Sequence, residues 1–237
     1  MTRRRWIADE FSGNQAALRG EHAEHLVRVL RVRIGDEFDV ATGTSVRRGR
    51  VTKVTDQRVE FELGDEVPSA QIPNITLLLA IFKFDRMEWA IEKCTELGVA
   101  RVIPVIASRT DVHLVSAASK RVERWGRIAR QASEQARRSI APELQQPLKL
   151  KEAIKLTGPL RIVLSESEQQ ATLRNTLALR PTDCELLLAV GPEGGWTEAE
   201  LALFSQAGWV AASLGNTILR AETAAIAATA IAVSELT

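Results

Sequence analysis

Long apolar runs are missing from this sequence. Runs such as residues 75–82 and Leu186–Val190 are far too short to cross a bilayer as helices, so no membrane partner is expected. Arg3, Arg4 and Arg5 open the chain with no apolar stretch behind them, so no signal peptide is expected. Cysteine is scarce: Cys94 and Cys184 lie far apart and lack any metal-like spacing, which suits a cytoplasmic protein with reduced thiols. Among three histidines, His22 and His25 are three residues apart with no third ligand nearby, and His113 has no recognisable partner. A metal site is therefore not expected.

An excess of one charge sign is also missing overall, since the net charge is +1. Divided along the chain, the balance is less even. Residues 71–140 carry 12 basic against 7 acidic side chains, and residues 141–237 carry 7 against 11. Local patches, not total charge, decide whether a polyanion can dock. With 45% hydrophobic and 26% charged residues, the 237-residue chain has the balance of a soluble globular protein with a sizeable core.

Two textures follow one another. Residues 37–40, 50–54 and 58–63 alternate, are rich in β-branched residues and are separated by turn residues, with a short helix expected at 21–30. A small β-barrel over residues 1–70 fits, because closure leaves no bare edges. Residues 64–74, with Pro68 and Pro73, read as a linker. From residue 74 to 237, buried-type strands (75–82, Arg101–Ile106, 161–164, Leu186–Val190, 209–214) alternate with helices (86–97, 118–139, 197–207, Ala221–Leu236). That alternation predicts an α/β domain on a parallel sheet.

At 100° per residue, Lys120, Arg124, Arg127, Gln131, Gln135 and Arg138 share one stripe of the long helix, opposite Val122, Trp125, Ala129, Ala132 and Ala136. Cations and amides in a row suit phosphates and sugar edges, although a solvated helix face has the same look. Further basic groups are Arg3 to Arg5, then His25, Arg28 and Arg31 at every third residue, and Arg47, Arg48 and Arg50 in a predicted hairpin. A long polyanion explains several separated clusters together.

Leu186–Val190 runs into Gly191-Pro192-Glu193-Gly194-Gly195 and then into a helix. A strand, a glycine turn and a helix N-terminus is where α/β proteins offer backbone N–H groups to a ligand. The turn lacks both the Walker ending and the GxGxxG fingerprint, which disfavours nucleotide-fold readings. A second unusual stretch, Leu214-Gly-Asn-Thr-Ile-Leu-Arg-Ala-Glu-Thr-Ala224, ends a strand at Gly215 and leads into an alanine-rich helix.

The pair GPEGG and LGxxILRxETA resembles the RsmE family, methyltransferases that modify N3 of a uridine in the decoding region of 16S ribosomal RNA. Three further blocks are similar: Lys83-Phe-Asp-Arg86 with Ile91 to Val99, Arg124-Trp125 through Glu134-Gln135, Arg138 and Pro142, and His25-Leu26 with Val29-Leu30-Arg31 and Gly35-Asp36. Five ordered blocks cover essentially the whole chain. The resemblance implies an α/β trefoil-knot methyltransferase domain of the SPOUT class behind a small PUA-like β-barrel RNA-binding domain. It further implies S-adenosyl-L-methionine as cofactor, a homodimer whose active site draws on both protomers, and 16S rRNA or the small ribosomal subunit as partner.

The cofactor is then expected among three loops: Leu164, Ser165 and Glu166; Gly191, Pro192, Glu193, Gly194 and Gly195; and Leu214, Gly215, Ile218, Leu219 and Arg220. Arg220 is the first choice for stabilising charge on the uracil oxygens, with Glu193 or Glu222 as proton acceptor. Each has a plainer role beside it: Arg220 positional, Glu193 bracing its turn, Glu222 capping a helix. RNA contacts are expected from Arg3, Arg5, His25, Arg28, Arg31, Arg86, Lys93, Arg124, Arg127, Gln135 and Arg138. Thr217, Ala136 and the Ala41-Thr42-Gly43 turn depart from the family pattern and put individual RNA contacts in doubt. Competing readings are a SPOUT enzyme methylating ribose 2′-OH and a non-catalytic ribosome-assembly protein that binds RNA.

Overall fold

A computed structural model describes residues 5–43, 45–68, 73–178 and 184–236. The chain divides into two units, Met1–Gln71 with Arg130–Ala141, and Ile72–Ala129 with Pro142–Thr237.

The first unit contains β1 (Arg5–Ile7), β2 (Glu10–Ser12), β3 (Gln15–Arg19), α1 (Gly20–Glu24), a π-turn at His25–Val29, β4 (Glu37–Ala41), β5 (Val46–Thr55) and β6 (Arg58–Glu66). They form one mixed sheet in the order β1-β4-β5-β6-β3-β2, parallel only between β1 and β4. Period-two alternation sets its inner face: Val59, Phe61 and Leu63 of β6 join Trp6, Leu18, Leu26, Val40 and Val51 in one core. Register shifts between β5 and β6, at Arg47/Gly49 and Val51/Lys53, bend the ladder so that the sheet curls into a half-barrel.

The helix expected at 21–30 is present over residues 20–29, but its second half widens from α to π turns. After α1 the Leu30 N–H donates to the His25 carbonyl at 3.2 Å and the Val32 N–H to the Leu26 carbonyl at 3.1 Å. Arg31 takes a left-handed φ of 52° to close this wide turn, and Val32 is buried behind it.

The second unit holds β7 (Ile75–Ala80), α2 (Phe84–Leu97), β8 (Arg101–Ile106), most of α3 (Val112–Gln135), β9 (Glu143–Leu144), β10 (Leu148–Lys149), α4 (Leu150–Ala153) and β11 (Leu160–Leu164). It continues with α5 (Leu173–Ala178), β12 (Leu186–Val190), α6 (Glu198–Gln206), β13 (Val210–Ala212) and α7 (Ala221–Leu236). Every strand pair is parallel, in the order β10-β8-β7-β12-β11-β13 with β9 also on β8. Both faces are covered, which is why the central strands are continuously apolar. Leu77 and Leu79 of β7 join α2, α3, α5 and α7 on one side. Leu78 and Ala80 join α4 and α6 on the other.

The long helix expected at 118–139 runs instead from Val112 to Gln135. It starts early because the Asp111 carboxylate accepts the His113 N–H at 2.8 Å. It stops early because Arg137 adopts a left-handed φ of 57° and the Arg138 N–H donates to the Ser133 carbonyl at 2.8 Å, a Schellman closure without glycine.

After β12 and α6 the chain returns to lie beside β11 as β13. Residues 165–172 clasp its end: the Ser165 N–H donates to the Ala212 carbonyl at 2.9 Å, Ser213 N–H to Ala171 at 2.8 Å and Leu173 N–H to Ser213 at 2.8 Å. The following segment passes this clasp into α7, which packs on α2 and α5. This is the crossing at which the resemblance expects the knot. No helix among the described residues is long and apolar enough to cross a membrane.

Candidate functional site

Parallel strands ending side by side leave a crevice at their carboxyl edge. In the second unit the ends of β11, β12 and β13 open into a cavity of about 640 Å³. Its wall takes Leu164, Ser165 and Glu166 from the first expected loop, and Gly191, Pro192, Gly194 and Gly195 from the second. Leu214, Gly215, Ile218 and Leu219 come from the third, so three loops far apart in sequence meet around one space.

Each loop is fixed by its own bonds. In the first, the Ser165 and Ser167 hydroxyls lie 2.8 Å apart, and Glu168 accepts the Gln170 and Ala171 N–H groups at 2.7 and 3.0 Å. Those backbone donors hold the Glu168 carboxyl below its ordinary range. In the second, the Gly195 N–H donates to the Pro192 carbonyl at 2.8 Å, and Gly195 has a φ of 68° that a side chain rarely tolerates. Gly191 is a close approach: a Cβ there would meet the Trp196 indole at 3.3–3.4 Å. Behind the turn, Trp196, Phe204 and Trp209 stack edge to face with centroids 5.0 and 5.1 Å apart, and the Trp209 indole donates to the Ile154 carbonyl at 3.1 Å. The buried Trp196 indole N–H has no hydrogen-bond partner among the described residues.

Residues outside the three expected loops also shape the site, Glu200 and Arg109 among them. Glu200 is buried and closes a capping box on α6, accepting the Thr197 N–H at 2.8 Å while its other oxygen accepts the Ser108 N–H at 2.7 Å. Burial works to raise its carboxyl, but these N–H donors outweigh it and hold the value below the ordinary range. Glu200 thus ties the start of α6 to the loop after β8. From that loop Arg109 reaches the cavity wall and donates to the Gly194 carbonyl.

The three candidate catalytic side chains are separated. Glu193 and Arg220 are exposed and do not belong to the cavity wall. Glu222, in the first turn of α7, is buried at 4% exposure with one oxygen 2.8 Å from the Arg86 guanidinium. Arg86, an expected RNA contact, is a part-exposed side chain paired with Glu222.

The expected RNA contacts divide in the same way. Arg3 lies outside the described residues. Arg5 is buried and donates to the Arg137 carbonyl; desolvation outweighs the attraction of Asp39 and lowers its pKa. His25 is half-buried against Trp6, with ring centroids 5.9 Å apart, while Arg28 and Arg31 are exposed. Lys93 is held by Glu92 and Glu96 at 2.7 and 2.8 Å. Lys120, Arg124, Arg127, Gln131 and Gln135 are exposed on α3 as a stripe requires. Arg138 is the exception: the Schellman turn carries it inward to 5% exposure, and burial lowers its pKa to about 10. Arg124 is bidentate to Glu88 of α2 at 2.7 and 2.8 Å, and Arg121 approaches the same carboxylate at 3.6 Å.

A parallel sheet with a three-loop cavity at its carboxyl edge, preceded along the chain by a small half-barrel, is the arrangement of an RNA methyltransferase domain behind a PUA domain. Residues 69–233 match the family model of the RNA methyltransferase domain, and residues 18–64 that of the RNA methyltransferase PUA domain. Ribosomal RNA small subunit methyltransferase E of Bacillus subtilis is 30% identical over 220 residues, covering 88% of this chain and 85% of that protein. The protein of that name from Synechocystis is 34% identical, covering 84% of this chain and 66% of its own length. The crystal structure of the Neisseria gonorrhoeae protein of the same name, bound to S-adenosyl methionine, superposes with a TM-score of 0.85 at 32% identity, over 97% of this chain and 96% of that one. The chain belongs to the ribosomal RNA small subunit methyltransferase E family.

Proposed function

We propose that this chain transfers a methyl group from S-adenosyl-L-methionine to N3 of a uridine in the decoding region of 16S ribosomal RNA, acting on the small ribosomal subunit as a cytoplasmic homodimer. The observation that carries the reading is the convergence of the three loops on one cavity of about 640 Å³. That volume lies in the range of pre-formed small-molecule sites, about 300–1,000 Å³.

The residues present fit the cofactor. Gly191 and Trp196 both line the cavity, and the missing side chain at Gly191 lets the glycine turn lie close against the indole. Backbone groups of Leu214, Ile218 and Leu219 would recognise adenine, and Gly191 and Gly194 would make room for ribose and methionine. When bound, S-adenosylmethionine supplies an electrophilic methyl group on a sulfonium. The protein's own task is to orient the uracil, stabilise charge on its oxygens and accept the N3 proton. Arg220 is assigned to the oxygens and Glu193 to the proton, both being exposed beside the loops that line the cavity. For Glu222, burial and the Arg86 ion pair support a role in holding the start of α7, and through it the 214–220 loop. The half-barrel and the exposed part of the α3 stripe would hold RNA through its backbone.

Labelled cofactor, the full-length protein and small subunits from a strain lacking this gene test the reading, with the product nucleoside identified by mass spectrometry. 3-Methyluridine is expected. Label in a ribose methyl would point to 2′-O methylation, and tight cofactor binding without transfer to a non-catalytic RNA-binding protein.

A further inference from the structure

The π-turn of the first unit carries an unusual surface. Val29, Leu30 and Ile34 are 63%, 41% and 70% exposed, three aliphatic side chains within six residues. Arg28, Arg31 and Arg33 are interleaved with them and are also exposed. The Arg50 guanidinium of β5 comes within 3.9 Å of where a Cβ on Gly35 would stand, adding a fourth cation beside the same segment. Its acids are partly engaged: Glu24 faces Arg28 at 3.8 Å, Asp36 accepts the Arg33 N–H at 2.7 Å, and Glu37 lies opposite Arg50 in the β4–β5 ladder.

The backbone here is not loose. Besides the closures through Leu30 and Val32, the Gly35 N–H donates to the Val51 carbonyl at 2.9 Å and the Val51 N–H to the Asp36 carbonyl at 2.8 Å. Apolar side chains are therefore held in water on a pinned loop, among cations. A protein-only face would have less use for four arginines, and a phosphate-only face would have less use for three aliphatic tips. RNA with unstacked bases offers both chemistries, phosphates for the guanidiniums and bare base faces for the aliphatics.

We propose that Val29, Leu30 and Ile34 form an apolar wedge that packs on exposed base faces of an RNA loop while Arg28, Arg31, Arg33 and Arg50 take its phosphates. The proposal rests on the RNA methyltransferase reading and names the kind of RNA that this surface selects, an unpaired loop over a duplex.

The test compares the full chain with Val29→Ser/Ile34→Ser and Arg31→Ala/Arg33→Ala. Fluorescence anisotropy measures their binding to an RNA hairpin with an unpaired uridine-containing loop and to a fully paired duplex of equal length. The serine variant is expected to bind the hairpin about fivefold more weakly, with its duplex affinity and salt slope unchanged. The arginine variant is expected to weaken on both RNAs and to lower the salt slope by about one. Unchanged thermal stability and cofactor affinity check that the variants fold. Unchanged hairpin affinity in the serine variant overturns the wedge, and a changed sedimentation coefficient with it would assign the face to a protein contact. If the unaltered chain binds neither RNA, the functional reading itself fails and takes the wedge with it.

Discussion

At the scale of single residues, the glycine turn does two jobs that need two different glycines. Gly195 permits the backbone to double back, and Gly191 keeps atoms away from Trp196. A methyl group at position 191 would sit 3.3 Å from the indole nitrogen, closer than most real contacts. Gly191→Ala is therefore expected to cost about tenfold in S-adenosylmethionine affinity, about 1.4 kcal/mol, with little change in melting temperature. Calorimetric titration beside thermal denaturation checks this, and unchanged affinity would remove Gly191 from the cofactor assignment. The turn was legible in the sequence because strand, glycines and helix follow one another directly. Arg109 and Glu200 were not, because their partners lie 85 and 92 residues away and no local pattern marks them. Glu222 shows the same blindness, since its partner Arg86 is 136 residues distant.

Among elements, the strands buried on both faces were the most readable. Arg101–Ile106 and Leu186–Val190 end where the sequence says they should, because a continuous apolar run bounded by polar residues has no other stable setting here. Helix ends were less readable. The end of α3 falls short of the expected residue 139 because Arg137 takes a left-handed conformation usually given to glycine, as Arg31 also does just after the first helix. The short strands β1, β2 and β3 carry too few residues to show alternation.

The end of α3 also builds a polar cluster within the first unit, around the buried Glu134. Arg130 lies 2.9 Å from Asp9 and 3.6 Å from Glu134, and His22 stands between the two acids at 3.6 and 3.8 Å. Burial raises the Glu134 carboxyl, and the pull of His22 and Arg130 does not fully offset it. Burial also works to raise Asp9, but the His22 contact, the Arg19 N–H and Arg130 outweigh it and leave its pKa lowered. The two acids therefore act on stability with opposite sign. Glu134 binds its proton more readily folded than unfolded, so stability is lost as pH rises from 4.5 through its raised value. Asp9 contributes stability above 3.8 that is lost as pH falls through its lowered value. Glu134→Gln is expected to remove the decline toward neutral pH and to keep the acid limb, read from urea denaturation across the range. A decline that persists in the variant would place its source elsewhere.

For the molecule as a whole, net charge is a poor guide to how it meets a polyanion. Counting charges along α3 gives a stripe, but Glu88 arrives from α2 and pairs with Arg124 of that stripe and with the neighbouring Arg121. Such a pair is exposed on the arginine side and contributes little to stability, so its main effect falls on binding. Glu88→Gln is expected to free Arg124 and Arg121, raise RNA affinity at low salt and steepen the salt dependence by about 0.7–0.9 per phosphate gained. Arg124→Ala with Arg127→Ala should do the reverse without altering cofactor affinity. An unchanged slope in both variants would take the stripe out of RNA binding.

The last turns of α3 also set an order of construction. The first unit includes residues 130–141, so Asp9 and His22 meet Arg130 and Glu134 only after more than half of the chain has been synthesised. Trp6, Leu18 and their neighbours can collapse earlier, but the half-barrel emerges from the ribosome unfinished and waits for a helix encoded far downstream. A fragment cut at residue 71 would be missing that piece for good. The part of this protein made first is among the last to be completed.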